Sequence, residues 1–286
     1  MSVRTIIAIA MNISKAVITA AGAGQRSLAL QSIIDQDGTT KTALQILIEE
    51  AQSAGATDIA IVVQPGAEAA YAEAAGAHAD RLHFIPQHEP RGYGDAIARA
   101  RDFVSDDPFL HLVGDHLCLS RTDIRCARQL VAVAVAENCA VSAVQATRES
   151  RLPNFGAVGG KRLQSSPGLY AVEAVAEKPT PTEAEQTLLV PGLRAGHYLC
   201  FFGIHVLMPT LFDTLDAQLK RTNGNVNLSG ALAELAGSSR YLAYEVAGDR
   251  FDIGERYGLL NAQLALALHG SDRSEILAGL IEILAR

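Results

Sequence analysis

Between residues 15 and 146, short apolar runs alternate with stretches of helical periodicity, and this alternation restricts the fold more than any other feature. Runs at 15–20, 58–63 (DIAIVV), 82–86, 109–113 (FLHLV) and 139–146 read as strands. Helical patterns at 43–54, 67–75, 95–104 and 121–137 separate them, the first stopped by Gly55 as a C-terminal cap. Strands joined through helices form βαβ units with right-handed crossovers and a largely parallel sheet. Such a sheet is covered on both faces and needs an aliphatic core. The composition agrees: 49% of the 286 residues are hydrophobic, aromatics make up only 5%, and Trp is absent. The expected class is α/β, a Rossmann-like, mostly parallel mixed sheet flanked by helices.

Beyond residue 150 the pattern changes. Segments 155–159, 169–176, 197–207 and 241–246 read as strands with longer connections, and 209–219, 228–236 and 255–269 as helices. The tail 272–286 is amphipathic, with Ile276, Leu277, Leu280, Ile281 and Leu284 on one face. That face is expected to pack on the core; a second subunit, making a homo-oligomer, is the alternative. No internal repeat or long Pro- or Ser-rich linker interrupts the chain, so one domain over 1–286 is expected, in parts 15–147, 148–270 and 271–286.

Several classes are disfavoured. A formal charge of −7 argues against a nonspecific nucleic-acid binder, which needs basic excess to neutralise phosphates. No apolar stretch is long enough to span a bilayer. The opening MSVRTIIAIA is apolar but lacks a strongly basic start, and the strand at Lys15 follows too soon for a removable signal. A cytoplasmic protein is expected. Cys118, Cys126, Cys139 and Cys200 match no zinc spacing and read as buried free thiols.

In open α/β sheets, ligands sit beyond the carboxyl ends of the strands. Three features fall there: the glycine turn at 22–24, Gln87 after Ile85-Pro86, and Asp115 after the run at 109–113. Gly22 and Gly24 let backbone N–H groups approach phosphate oxygens, and Arg26 adds a cation with bidentate geometry for phosphate. The turn is neither a P-loop nor a dinucleotide fingerprint, since Ser27 stands where a third glycine would be.

Residues 15–26, KAVITAAGAGQR, resemble the signature of sugar-1-phosphate nucleotidyltransferases, and most of all the bacterial UTP–glucose-1-phosphate uridylyltransferases. Further blocks agree in order and spacing over about residues 15–270. QHEPRGYGDA at 87–96 is similar to the family's base-reading segment, Val113-Gly114-Asp115 to its metal-binding strand end, Glu177-Lys178-Pro179 to its sugar-phosphate motif, and RFDIG at 250–254 to its second metal-binding block.

The resemblance implies a nucleotide-diphospho-sugar transferase fold, with a nucleotide-binding half at 15–147, a sugar-binding half at 148–270 and a C-terminal helix. It implies an enzyme of carbohydrate metabolism that takes a nucleoside triphosphate and a sugar 1-phosphate. A sugar-phosphate oxygen attacks the α-phosphorus of UTP, and UDP-sugar and pyrophosphate result. Asp115 and Asp252 are the implied Mg²⁺ ligands, since this ion favours one or two carboxylates plus water and phosphate oxygens. Arg26 and Lys178 join them as catalytic residues, Lys178 pairing with the sugar phosphate. Glu177 accepts from sugar hydroxyls, while Gly156 and Gly203 let backbone approach the sugar. Gln87 pairs with a pyrimidine edge, because an amide offers both donor and acceptor. Gly92 leaves room for the base beside the backbone of Ala20, Ala21 and Gly22. His88, His111 and His116 have neither a paired acid nor metal spacing and read as structural.

Two stretches depart from the family pattern. The glycine turn carries Gln25 where the family has Thr, and 27–36 lacks the family's Pro-Lys pair. The nearest lysine, Lys41, aligns with a later family lysine at the start of the following helix. Residues 225–230 read NVNLSG where the family has Glu-Ile-Gln-Leu-Thr-Asp, so Asn225 and Gly230 replace two acids. A homologue that binds sugar nucleotide with little or no turnover, and a transferase for another base or sugar, both stay open.

Overall fold

The computed structural model describes residues 11–22, 27–164, 166–222 and 224–286. Its strands are β1 (Lys15–Thr19), β2 (Ser32–Ile34), β3 (Thr40–Thr42), β4 (Asp58–Val63), β5 (Leu82–Pro86), β6 (Phe109–Val113), β7 (His116–Ser120), β8 (Ala140–Arg148), β9 (Ala157–Arg162), β10 (Leu169–Ala176), β11 (His197–Leu207), β12 (Tyr241–Glu245) and β13 (Gly248–Asp252). The α-helices are α1 (Ala43–Ser53), α2 (Glu68–Ala75), α3 (Tyr93–Ala98), α4 (Arg101–Val104), α5 (Cys126–Glu137), α6 (Pro181–Thr187), α7 (Leu211–Arg221), α8 (Leu228–Ser238), α9 (Gly258–His269) and α10 (Arg273–Leu284).

Among the described residues, nine strands form one sheet in the order β5-β4-β1-β6-β11-β8-β12-β10-β9. Strands β5, β4, β1 and β6 run parallel, so their carboxyl ends share one edge. β11 is antiparallel to β6 and crosses that edge: residues 204–207 pair with β6, while Leu199 and Cys200 pair with β9. Its register against β8 shifts between Phe201 and His205. Because β11 runs on past the end of β6, its residues 199–200 hold the β9–β10 hairpin at the edge where β1, β5 and β6 end.

The sheet is covered on both faces, as the run of aliphatic strands predicts. On one side Ala16, Ile18, Ile61 and Leu112 meet Leu44, Leu47 and Ile48 of α1 and Leu130 of α5. On the other, Val17, Phe109, Val144 and Leu207 meet Ile97, Phe212, Leu215 and Leu232. α1 is closed at its start by Thr42 and Gln45, which bond each other's backbone N–H in a capping box. Gly55, at φ +103°, follows its C-terminal Ala54.

Three expectations are corrected. The helix over 121–137 begins only at Cys126, because Ser120 and Thr122 hydroxyls bond the backbone of 122–124 and compete with a helical start. Residues 116–120 instead form β7, whose partner β13 lies far away in sequence. The helix over 95–104 is broken into α3 and α4. The tail helix α10 packs on α9 but buries none of its residues, leaving Ile281, Ile283 and Leu284 exposed. Its apolar face is therefore not part of this chain's core.

Candidate active site

A cavity of about 460 Å³ opens at the shared strand edge. That size lies in the range of small-molecule sites. Its wall includes Ala21, Gly22, Gln87, Gly92, Asp115, Gly156, Glu177, Lys178, Gly203 and Asp252. Ala20 stands behind that wall: its N–H donates to Val62 and its carbonyl accepts from the Tyr71 hydroxyl. Its backbone is thus used by the sheet, and it does not line the cavity as the family signature implies. Gly24 and Arg26 lie outside the described residues.

The first wall follows β1. The Gln64 amide donates to the carbonyls of Ala21 and Gly22, at 3.1 and 3.2 Å, which pins the chain as it leaves the strand. Opposite stands Gln87, 5% exposed, at the end of β5. Its Nε2 donates to Asp95 Oδ2 at 2.7 Å and to the Gly92 carbonyl at 3.2 Å. Asp95 is fully buried at the start of α3 and also accepts from Arg91 at 3.2 Å and Arg99 at 2.7 Å. Burial pushes its pKa up, but the bonds from Gln87, Arg99 and Arg91 outweigh that and hold it below the usual carboxylate value.

Gly92 has φ +102°, a region only glycine enters freely. A Cβ there would lie 1.5 Å from Asn225 Oδ1 and 2.6 Å from the Val226 carbonyl. The missing side chain therefore faces the 225–226 segment, so Gly92 serves close packing of two loops, a different reason from room for a base. The two loops are also laced by Gly94 N–H to Val226 O and Val226 N–H to Arg91 O, both 2.8 Å. Asn225 thus packs against Gly92 behind this wall, and Asn227 caps α8 by accepting from the Gly230 N–H.

The second wall holds the acids. Asp252 pairs directly with His116 in the β7–β13 ribbon, which explains how residues so distant in sequence meet. Asp115, His116 and Asp252 each offer a ligand atom, all within 4.8 Å of one another. The carboxylates suit a hard cation such as Mg²⁺; His116 suits it less, and its Nδ1 lies 2.8 Å from Asp115 Oδ1. Burial first, then the charge of Asp115, raises the pKa of Asp252, partly opposed by His116. The donor set and this crowding of negative charge both fit a divalent cation. His116 was expected to be structural, and its place beside Asp115 in Gly114-Asp115-His116 was the available signal. Arg250, two residues before Asp252, stacks 3.5 Å over the Phe155 ring and buries an Nη1 without a protein partner among the described residues. Burial lowers its pKa to about 10, so it stays charged at neutral pH.

The third wall comes from the β9–β10 hairpin, β11 and α8. Glu177 accepts from the Ser229 hydroxyl. Gly156 lies under them, and a Cβ there would sit 2.7 Å from Ser229 Oγ and 3.0 Å from Glu177 Oε2. Gly203, at φ +91°, forms the bulge of β11 against the His116 ring. Lys178 is exposed, adopts φ +47°, and makes no ion pair with a described residue. His205 reaches the cavity from β11, bonded to Ser142 at 2.6 Å, and burial lowers its pKa to about 3, so it is neutral. His111 is fully buried between Thr19 and Tyr93 and is structural. Lys41 lies elsewhere, clamped by Asp35, Glu49 and Asp37 at 2.7, 2.9 and 3.1 Å.

The family described as Nucleotidyl transferase matches residues 15–268. UTP–glucose-1-phosphate uridylyltransferase 2 of Streptococcus pyogenes serotype M3 is 27% identical, covering 95% of this chain and 96% of that protein. UTP–glucose-1-phosphate uridylyltransferase of Streptococcus pneumoniae serotype 4 is 28% identical, covering 90% and 91%. Among solved structures, UDP-glucose pyrophosphorylase complexed with UDP-glucose overlays with a TM-score of 0.74 at 22% identity, covering 89% of this chain and 98% of that one. UTP-bound UGPase from Acinetobacter baumannii overlays at 0.72 and 22% identity, covering 94% and 99%. Those overlays share the α/β fold that the strand–helix alternation predicts.

Proposed function

The chain belongs to the Nucleotidyl transferase family, and from that premise we propose that it transfers a uridylyl group from UTP to glucose 1-phosphate, giving UDP-glucose and pyrophosphate. One observation carries the reading. A single cavity gathers the strand-end residues of the nucleotide half (Ala21, Gly22, Gln87), the acid pair Asp115 and Asp252, and the sugar-side residues Gly156, Glu177 and Lys178. The names of the similar uridylyltransferases supply the base and sugar.

The reaction needs no covalent nucleophile from the protein; it needs two anions aligned in line and their charge offset. Gln87 takes the base edge, and the backbone at Ala21 and Gly22 lies beside it. Glu177, oriented by Ser229, accepts from sugar hydroxyls, and Lys178 meets the sugar phosphate as a cation. Asp115 and Asp252 would hold Mg²⁺, which when bound offsets charge on the phosphate oxygens. Among the described lining residues three carboxylates stand with one lysine, a balance that favours a bound cation beside the substrates' phosphates. Arg26, the cation of the glycine turn, adds to that offset on this reading. A cytoplasmic location goes with this reading, because both substrates are polyanions that do not cross a bilayer unaided.

The test is pyrophosphate release from UTP plus glucose 1-phosphate with Mg²⁺, run beside a panel of other nucleotides and sugar phosphates. Release that is fastest with this pair and abolished by EDTA is expected; no turnover with any pair refutes the proposal. A second reading, a homologue that binds UDP-sugar without turnover, is favoured by the absent Pro-Lys pair and by Lys41 being held in its acid clamp. Calorimetric binding of UDP-glucose without catalysis would select it.

A further inference from the structure

Gln87 can serve a base only through the amide atoms the protein leaves to it, and Asp95 decides which these are. An ionised carboxylate accepts and never donates. Asp95 Oδ2 sits 2.7 Å from the Gln87 side chain, so the nitrogen must face it, and that nitrogen also reaches the Gly92 carbonyl, a second pure acceptor. Both neighbours therefore fix the same orientation of the amide. Oε1 accepts from no described residue and is not sealed from solvent, and Gln87 lines the cavity. Three groups hold Asp95 in turn: Arg91, Arg99 and Gln87 itself, with nothing of Asp95 exposed. The two arginines are about a third exposed and reach in from one turn on either side of Asp95.

We propose that Asp95 is a specificity-determining positioning residue: by holding Gln87 Nε2 it makes the cavity present an acceptor alone, so that a base with an N–H at that edge is taken and one with a lone pair there is refused. Uracil and thymine carry N3–H; cytosine carries an unprotonated N3. The inference rests on the uridylyl-transfer reading and adds to it the residue that excludes CTP. A mispaired group at a buried edge weakens binding by about ten- to a hundredfold, which sets the discrimination expected from this contact.

The test measures UTP and CTP binding by calorimetry, and kcat/KM for both, in the full chain and in Asp95→Asn. The substitution keeps the shape, but with its oxygen turned to the arginines its amide offers an NH₂ to Gln87, which draws the Gln87 amide to turn against the single, longer hold of the Gly92 carbonyl. The expected result is a UTP preference of about ten- to a hundredfold in the parent chain that falls to within a few-fold in Asp95→Asn, with CTP binding gained in absolute terms. A purely structural role would weaken both nucleotides together and leave the ratio unchanged, and that result overturns the inference. A crystal structure of the unaltered chain with UDP-glucose gives an answer that does not depend on the variant folding. N3 of uracil within hydrogen-bond distance of the Gln87 amide, with Asp95 still on its far side, supports the proposal. Uracil O4 or O2 there refutes it. A parent chain that binds neither nucleotide refutes the uridylyl-transfer reading and this inference with it; a parent that prefers UTP, with the preference intact in Asp95→Asn, refutes this inference alone.

Discussion

Replacing Gly92 with Ala should be among the most damaging single-methyl changes available to this chain. Two independent terms contribute. The backbone at φ +102° and ψ −179° lies in a region essentially reserved for glycine and disfavours any residue with a Cβ by roughly 1–3 kcal/mol. The new methyl would also lie 1.5 Å from Asn225 Oδ1 and 2.6 Å from the Val226 carbonyl. The Asn225 side chain is exposed and can swing aside. The Val226 carbonyl cannot, since residue 226 is tied through both backbone groups, to Gly94 and Arg91. Relieving that contact strains two hydrogen bonds of about 1 kcal/mol each. The expected loss is about 3–5 kcal/mol, a large share of the reserve of a marginally stable domain. Urea unfolding with Gly92→Ala, Asn225→Ala and the double variant separates the terms. Asn225→Ala alone should be near neutral, and the double variant should recover less than about 0.5 kcal/mol, because the Asn225 side chain already swings aside and the backbone and carbonyl terms remain. A Gly92→Ala protein within about 0.5 kcal/mol of the parent would show that the 91–94 and 224–227 loops are not packed as described, and the account of the base-side wall would fall with it.

Two further outcomes follow from the charges. Asp252 binds a proton more readily in the folded than in the unfolded chain, so its contribution is favourable below the unfolded value near 4 and is lost as pH rises through its raised folded value; Asp252→Asn should therefore melt higher than the parent at pH 7 in EDTA, while Mg²⁺-dependent turnover falls about 10²–10³-fold. A lower melting temperature, or unchanged turnover, contradicts this. Lys41→Met removes the clamp on Asp35, which is nearly buried, and should destabilise by about 2–4 kcal/mol in urea, with the exposed Asp37 contributing little; because Lys41 does not line the cavity, kcat for the folded variant should match the parent, and a selective loss of triphosphate binding would reassign it.

The sequence made the parallel half legible because each strand there is a short, largely apolar run bounded by polar or turn residues: β4, β5 and β6 match the expected bounds residue for residue. It failed where structure depends on a distant partner. Residues 116–120 alternate, with Leu117 and Leu119 inward, but the run is short and sits beside a Ser/Thr cluster, and nothing local shows that 248–252 pairs with it. That ribbon is nevertheless what sets Asp252 opposite His116, so the meeting of the two acids could be inferred only from the family blocks. The same limit explains Asp95. In sequence it is an ordinary acid in the first turn of a helix, and Gln87 an amide with donor and acceptor both available. Only the fold, by burying the acid against that amide between two arginines, removes one of those options. On the proposed reading, motif matching names the residue that meets the base, but which atom that residue offers is decided by a neighbour that the motif treats as scaffold.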